Sequence, residues 1–217
     1  MEKNMEELLS VYERFGSKAQ EALDFARRNM KPLDGIKTTI VGVAPPENGV
    51  YVVHKDGSYE EFDGENIMDD VAMIGIAYEG HTFGVPLDYD YGKQQLLKED
   101  EYPKDEHCLN EVDALLNWDF KGETEYLKQL GLAFELKEGH YMPTIPVFLA
   151  MYSLRKELNL ALSLAGAKVI DFDISRWFAQ RSGVYYAWFF NGAYRHLSSN
   201  SVHGAFQVGA VSLWNPD

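Results

Sequence analysis

Arg176-Trp177-Phe178-Ala179-Gln180-Arg181-Ser182-Gly183-Val184-Tyr185-Tyr186-Ala187-Trp188-Phe189-Phe190-Asn191 is the stretch whose reading decides the fold class. Its aromatic second half predicts a strand over Tyr185–Phe190, and a second strand follows over Phe206–Leu213. With Trp188 inward, the two-residue alternation of a strand puts Tyr186 and Phe190 on its face, and sends Tyr185, Ala187 and Phe189 to the other. Immediately upstream lies the best helical pattern of the chain, Pro146–Ala165. There Phe148, Met151, Leu154, Leu158, Leu162 and Ala165 share one face, and Gly166 is the stop.

Farther upstream the pattern returns to strands. Val50–Val53 and Ser58–Phe62 flank Asp56-Gly57, a hairpin signal, and Met73–Tyr78 and Phe83–Leu87 flank Glu79-Gly80-His81-Thr82. Asp88–Asn117 reads as loop, and a short helix is expected over Glu123–Leu130. Strands, then helices, then strands describe an α+β domain rather than repeated βαβ units. Residues 5–30 read as helix, with Met5, Leu8, Leu9, Tyr12 and Phe15 in one stripe and a capping box at Ser17–Gln20. The expected organisation is a helical segment over residues 1–34 and an α+β domain over 35–217.

The 217 residues carry a net charge of −14 and are 46% hydrophobic, enough apolar material for a core. The charge is uneven. From Met151 on, six cations face four carboxylates, so residues 1–150 carry −16; between Ile174 and Pro216 there is no carboxylate at all. That carboxylate-free stretch holds ten aromatic residues with Ser, Gly, Asn and His between them. Tyrosine with small polar residues is the composition of adaptable binding surfaces, and it is equally that of aromatic-rich core strands. The acidic balance argues against nucleic-acid binding through bulk charge. No apolar run reaches the ~18 residues of a membrane span. Met1-Glu2-Lys3-Asn4-Met5-Glu6-Glu7 has no cationic start before an apolar run, so no signal peptide is expected, and a cytoplasmic or virion-associated location is.

The chemistry-bearing residues give little. His54, His81, His107, His140, His196 and His203 form no ligand pair at helical spacing, so no metal is expected. Asp88-Tyr89-Asp90-Tyr91-Gly92 has the start of a calcium loop but not its later ligands, and reads as a solvated turn. Nucleophile-elbow and phosphate-loop motifs are missing. The single cysteine, Cys108, follows His107 in an acidic neighbourhood that disfavours a thiolate, and reads as a loop or small core residue. No enzyme activity and no cofactor are expected.

Tyr141-Met142-Pro143-Thr144-Ile145, Met151-Tyr152, Leu158-Asn159-Leu160-Ala161-Leu162 and Gly166 follow, in order, the spacing of a widespread bacterial domain family. Ile74–Tyr78 with Gly80-His81, then Asp119-Phe120 with Gly122 and Thr124, match its upstream blocks. Trp177 followed by Ala187-Trp188 and the ending Phe206–Trp214 match its downstream ones. Over about residues 48–214 the chain resembles this C-type lectin-like family, which includes the variable, ligand-display proteins of diversity-generating retroelements. It departs at Phe178-Ala179-Gln180-Arg181, where the family has S-S-T-E, and at Gln207, Gly209 and Ser212, where the family has arginines.

The resemblance implies a C-type lectin-like fold with Trp177, Trp188 and Val208 as core. It implies a non-enzymatic protein that binds a protein or glycan ligand through its C-terminal aromatic-polar surface. Arg181, Tyr185, Tyr194, Arg195, His196, Asn200 and His203 are the expected ligand contacts, Tyr and Arg being common binding hot spots. The alternative is a structural or virion assembly protein on the same scaffold with no diversified site, forming a homo-oligomer through the N-terminal helix. An enzyme resembling the formylglycine-generating sulfatase activators is a third reading, poorly served by one cysteine.

Overall fold

Two hairpins open the described chain. The fold is that of a computed structural model, which describes residues 47–64, 68–98 and 107–215, all within the unit Pro46–Pro216. The expected helix in residues 1–34 lies outside the described residues. Strands β1 (Gly49–His54) and β2 (Tyr59–Glu61) turn at Asp56-Gly57, where Gly57 takes φ 88° and the Asp56 carboxylate accepts the Ser58 N–H. Strands β3 (Val71–Tyr78) and β4 (His81–Pro86) turn through only two residues, Glu79 and Gly80, both with positive φ. A two-residue turn of this kind matches strand twist, so His81 and Thr82 fall inside β4 rather than in the turn. The four strands form one antiparallel sheet in the order β2-β1-β3-β4.

The second sheet has five strands in the order β5-β9-β6-β7-β8. They are β5 (Asp90–Gln95), β6 (Arg176–Gly183), β7 (Tyr186–Asn191), β8 (His196–Ser201) and β9 (Ala205–Gly209). All neighbours are antiparallel except β6 and β9, which run parallel. The α+β class is therefore observed: two sheets and four short helices among the described residues.

The loop expected over Asp88–Asn117 is corrected. It contains β5, paired to β9, and the helix α1 (Glu111–Leu116), whose N-cap Asn110 accepts the Asp113 N–H. Asp90 is not a solvated turn residue either: its carboxylate accepts from Lys168, Gln207 and the Gly92 N–H. Helix α2 (Phe120–Gln129) starts three residues earlier than expected, capped by Asp119 on the Gly122 N–H.

The long helix expected over Pro146–Ala165 is two helices, α3 (Ile145–Ser153) and α4 (Arg155–Leu164), joined at Leu154 (φ −98°, ψ 18°). Ser153 Oγ donates back to the Leu149 carbonyl and Arg155 Nη1 takes the Tyr152 carbonyl, two side chains that compete with the helix ladder at the break. Gly166 (φ 72°) ends α4 as expected, with Ala167 N–H on the Leu162 carbonyl and Gly166 N–H on that of Ser163.

Every α3 residue from Ile145 to Tyr152 is buried, which an all-apolar helix requires. Phe148 meets Phe172, Phe178 and Phe190 at ring distances of 5.7, 5.4 and 5.0 Å, sealing one face of β6 and β7. Leu96, Leu97, Leu127, Met142, Trp177, Ala179, Ala187, Phe189, Val202 and Val208 form the core on the other face. After β9 the chain bridges Val211 to Tyr141 and Ser212 to Gly84, and Trp214 packs on Tyr51 and Tyr59 at 5.3 and 5.4 Å. No described helix is long and apolar enough to cross a membrane.

Candidate functional site

Strand β7 carries the first correction to the expected surface. Tyr186, Trp188 and Phe190 do share a face, but it is not the inward one throughout. Tyr186 is exposed, Trp188 is half-buried with Nε1–H donated to the Leu109 carbonyl (3.0 Å), and only Phe190 is enclosed, under α3. Ala187 and Phe189, on the opposite face, are the fully covered pair. Trp177 and Val208 are buried as expected of core.

Arg181 is the second correction. It is 1% exposed, so it cannot contact a ligand at the surface. The pairing of β6 with β7 slips between Trp177 and Arg181 and again before Gly183, and such bulges re-aim side chains. Here they send two polar side chains inward. Gln180 accepts the Ile145 N–H and donates to the Ala114 carbonyl, both at 2.8 Å. Arg181 donates to the Tyr126 hydroxyl (2.7 Å) and the Gly183 carbonyl, with one nitrogen 3.6 Å from the half-buried Cys108 Sγ. Buried polar groups must be partnered, and these two are.

The remaining six expected contacts do not form one site. Strands β7 and β8 pair from Tyr186↔Ser201 to Asn191↔His196, a ribbon of five steps and roughly 17 Å. Tyr185, Asn200 and His203 gather at one end, joined by exposed Tyr186, where Val202 N–H bonds the Tyr185 carbonyl. Tyr194, Arg195 and His196 occupy the other end, in and after the β7–β8 turn. Tyr194 and His196 rings lie 5.9 Å apart. Tyr185, Tyr186 and Tyr194 are 52, 51 and 56% exposed.

The Tyr194 end opens onto a groove of about 400 Å³ between the start of α4, the 170–173 loop and Arg195. Its wall is built by close approach: a Cβ on Gly192 would stand 2.2 Å from the Asp173 carbonyl oxygen. Gly192 N–H donates to Ser175 Oγ (3.2 Å), and Arg195 donates Nε–H and Nη2–H to Asp173 Oδ1 at 3.1 and 2.8 Å. Arg195 sits at φ 51°, a left-handed conformation that aims its side chain back across the turn. Arg155 lies 4.5 Å over the Tyr152 ring. The Arg155, Lys156, Asp171 and Asp173 side chains of this groove were not singled out from sequence. Arg155-Lys156 is a basic pair beside the apolar stripe of the predicted helix, and that was the available signal.

No known protein family matches the chain, and no curated protein or solved structure matches it significantly.

Two titratable clusters lie away from the ribbon. The Tyr91 hydroxyl accepts the Lys137 N–H (3.0 Å) and is hydrogen-bonded to His140 Nδ1 (2.7 Å), while His140 Nε2 faces Asp88 at 3.6 Å. Burial holds the His140 pKa below the usual imidazole value against the pull of Asp88. The hydrogen bond from Lys137 holds Asp88 below the usual carboxylate range. In the second cluster, buried Glu123 accepts from Asn117 (2.7 Å) and from His107 (3.2 Å), whose ring packs edge-on against Tyr126 at 4.7 Å. Among the described residues no three His, Cys, Asp or Glu side chains converge as a metal site would need.

Proposed function

We propose that the chain is a non-enzymatic ligand-binding module on a C-type lectin-like scaffold, recognising a protein or glycan through the β7–β8 ribbon without a cofactor. One observation carries the reading. Of the ten aromatic residues after Ile174, Trp177, Phe178, Phe189, Phe190 and Trp214 are buried, while Tyr185, Tyr186 and Tyr194 each leave half their surface in water. An exposed tyrosine is a rigid amphipathic contact, and two such contacts at one end of a ribbon and one at the other describe a recognition edge. Tyr194, Arg195 and His196 remain proposed contacts, as do Tyr185, Asn200 and His203; Tyr186 joins them and Arg181 leaves.

The test screens the chain against glycan and protein arrays, then compares Tyr185→Ala/Tyr186→Ala and Tyr194→Ala with the parent on whatever is captured. Each hot-spot truncation is expected to cost about 2 kcal/mol, roughly thirtyfold in affinity. Unchanged capture by all of them sinks the reading. The retroelement part of the proposal has its own test in population sequencing of the encoding locus. Codon variation at exposed ribbon positions, with Trp177, Ala187 and Phe189 fixed, supports it, and a uniform locus removes it.

A further inference from the structure

We propose that the groove beside the β7–β8 turn binds an acidic sugar, a saccharide ring bearing a carboxylate. The inference deepens the binding reading and rests on it. The groove, about 400 Å³, falls within the size of ligand clefts, roughly 300–1,000 Å³. Its lining combines three kinds of group. Tyr152, Ile170 and Phe172 supply an apolar base. Arg155 and Lys156 supply two cations that pair with no carboxylate among the described residues, Arg155 spending one N–H on the Tyr152 carbonyl. Asp171 and Asp173 supply carboxylates, and Asp173 already holds Arg195.

This combination selects its ligand. A guanidinium fork pairs with a planar carboxylate through two parallel N–H bonds, and Lys156 adds a second charge beside it. Three cations against two carboxylates leave one net positive charge, which a single carboxylate neutralises. Ionised carboxylates only accept hydrogen bonds, so Asp171 and Asp173 call for hydroxyl donors on the same ligand. A carboxylated sugar offers one anion, several hydroxyls and an apolar C–H face. A neutral sugar leaves Arg155 and Lys156 without a counter-charge, and a simple anion brings no hydroxyl to Asp171 and Asp173, whose Oδ1 atoms already accept the Asp173 N–H and Arg195. Behind the Asp171 wall stands Arg176, buried, with Nη2–H on the Asp171 carbonyl at 2.7 Å, which fixes the loop that presents both aspartates.

The experiment titrates the ¹⁵N-labelled full chain with trigalacturonate, a hyaluronan tetrasaccharide and 3′-sialyllactose, each against its neutral counterpart, and with inorganic phosphate. Saturable amide shifts at residues 152–159, 170–173 and 195 with at least one acidic sugar, and none with its neutral counterpart, are expected. Lys156→Glu, at an exposed position, should weaken that binding at least tenfold with an otherwise unchanged spectrum. Arg155→Lys, which keeps the charge and loses the fork, should weaken it less. Phosphate matching the acidic sugars, or neutral sugars matching them, overturns the assignment. Acidic sugars that move only Tyr185, Tyr186 or Tyr194 overturn the groove and leave the ribbon reading standing. No shift with any saccharide overturns the groove alone, since the ribbon is judged by its own tyrosine variants.

Discussion

At Gly192 the turn of the β7–β8 ribbon passes so close to the 173–174 backbone that a methyl group has nowhere to go: it would stand 2.2 Å from Asp173 O, 2.3 Å from Asp173 C and 2.4 Å from Ile174 C. Backbone cannot swing aside as a flexible side chain can, so Gly192→Ala must push the loop away and strain the Arg195–Asp173 pair. A cost of about 1–3 kcal/mol, typical of overpacking, is expected in urea unfolding. A variant within ~0.5 kcal/mol of the parent contradicts this close approach. Tyr194→Ala, two residues on, should change stability little because more than half of the residue is exposed. Arg181→Met should do the opposite of what a surface contact implies. It strips the Tyr126 hydroxyl and Gly183 carbonyl of a buried donor, and a loss of about 2–4 kcal/mol is expected. Tyr194 was legible as a surface residue because it sits in a polar turn signal. Arg181 was not, because an arginine in sequence reads as exposed and only the bulge beside it turns it inward.

The same contrast governs whole elements. The two N-terminal hairpins were legible because Asp56-Gly57 and Glu79-Gly80 are turn residues between alternating apolar runs. The helical Gly166 stop was legible for the same local reason. Strand β6 was hidden: it is buried from Arg176 to Arg181, yet three of those six side chains are polar, so no apolar periodicity announces it. Strands β5 and β8, Asp-Tyr-Gly-Lys-Gln-Gln and His-Leu-Ser-Ser-Asn-Ser, are the two edges of their sheet. Polar edges resist pairing with other chains and leave no apolar pattern to read. What β6 loses in pattern it holds by Gln180, which ties the start of α3 to the last turn of α1. Gln180→Leu keeps the volume and removes both bonds, leaving the Ile145 N–H and the Ala114 carbonyl without that partner. Unfolding free energy should fall by about 2–4 kcal/mol. Hydrogen exchange should also rise at α3 and α1 more than in the β1–β4 sheet. Uniform loosening of both sheets would show instead that Gln180 is not the tie between these elements.

For the molecule as a whole, the titratable groups set a window of pH in which the fold is firmest. His140 is held below its unfolded pKa, first by burial and then by Lys137, with Asp88 opposing. A lowered imidazole pKa means the unfolded chain binds the proton first, so stability declines as pH falls below about 6.5 and levels off once the folded ring is protonated as well. His81, stacked on Trp118 at 4.0 Å, is lowered by desolvation in the same direction, and its solvent-facing side makes its share smaller. Asp88 and Asp90 add a second acid step. Burial alone would raise Asp90, but Lys168, the Gly92 N–H and Gln207 hold it below the usual carboxylate range. Both aspartates therefore lend stability above their unfolded pKa that is lost as pH falls through the folded one. On the alkaline side, burial pushes Tyr89 up to about 12, so the unfolded chain loses its phenol proton first, near pH 10, and stability falls from there. Urea midpoints taken from pH 4 to 11 should trace a plateau between about pH 7 and 9.5 with a fall on each side. His140→Gln, whose amide can still hydrogen-bond the Tyr91 hydroxyl, should flatten the limb between pH 5 and 7, and Tyr89→Phe should flatten the limb above pH 10. An acid limb unchanged by His140→Gln would place the proton uptake at another histidine and overturn the role given to the Tyr91–His140–Asp88 chain.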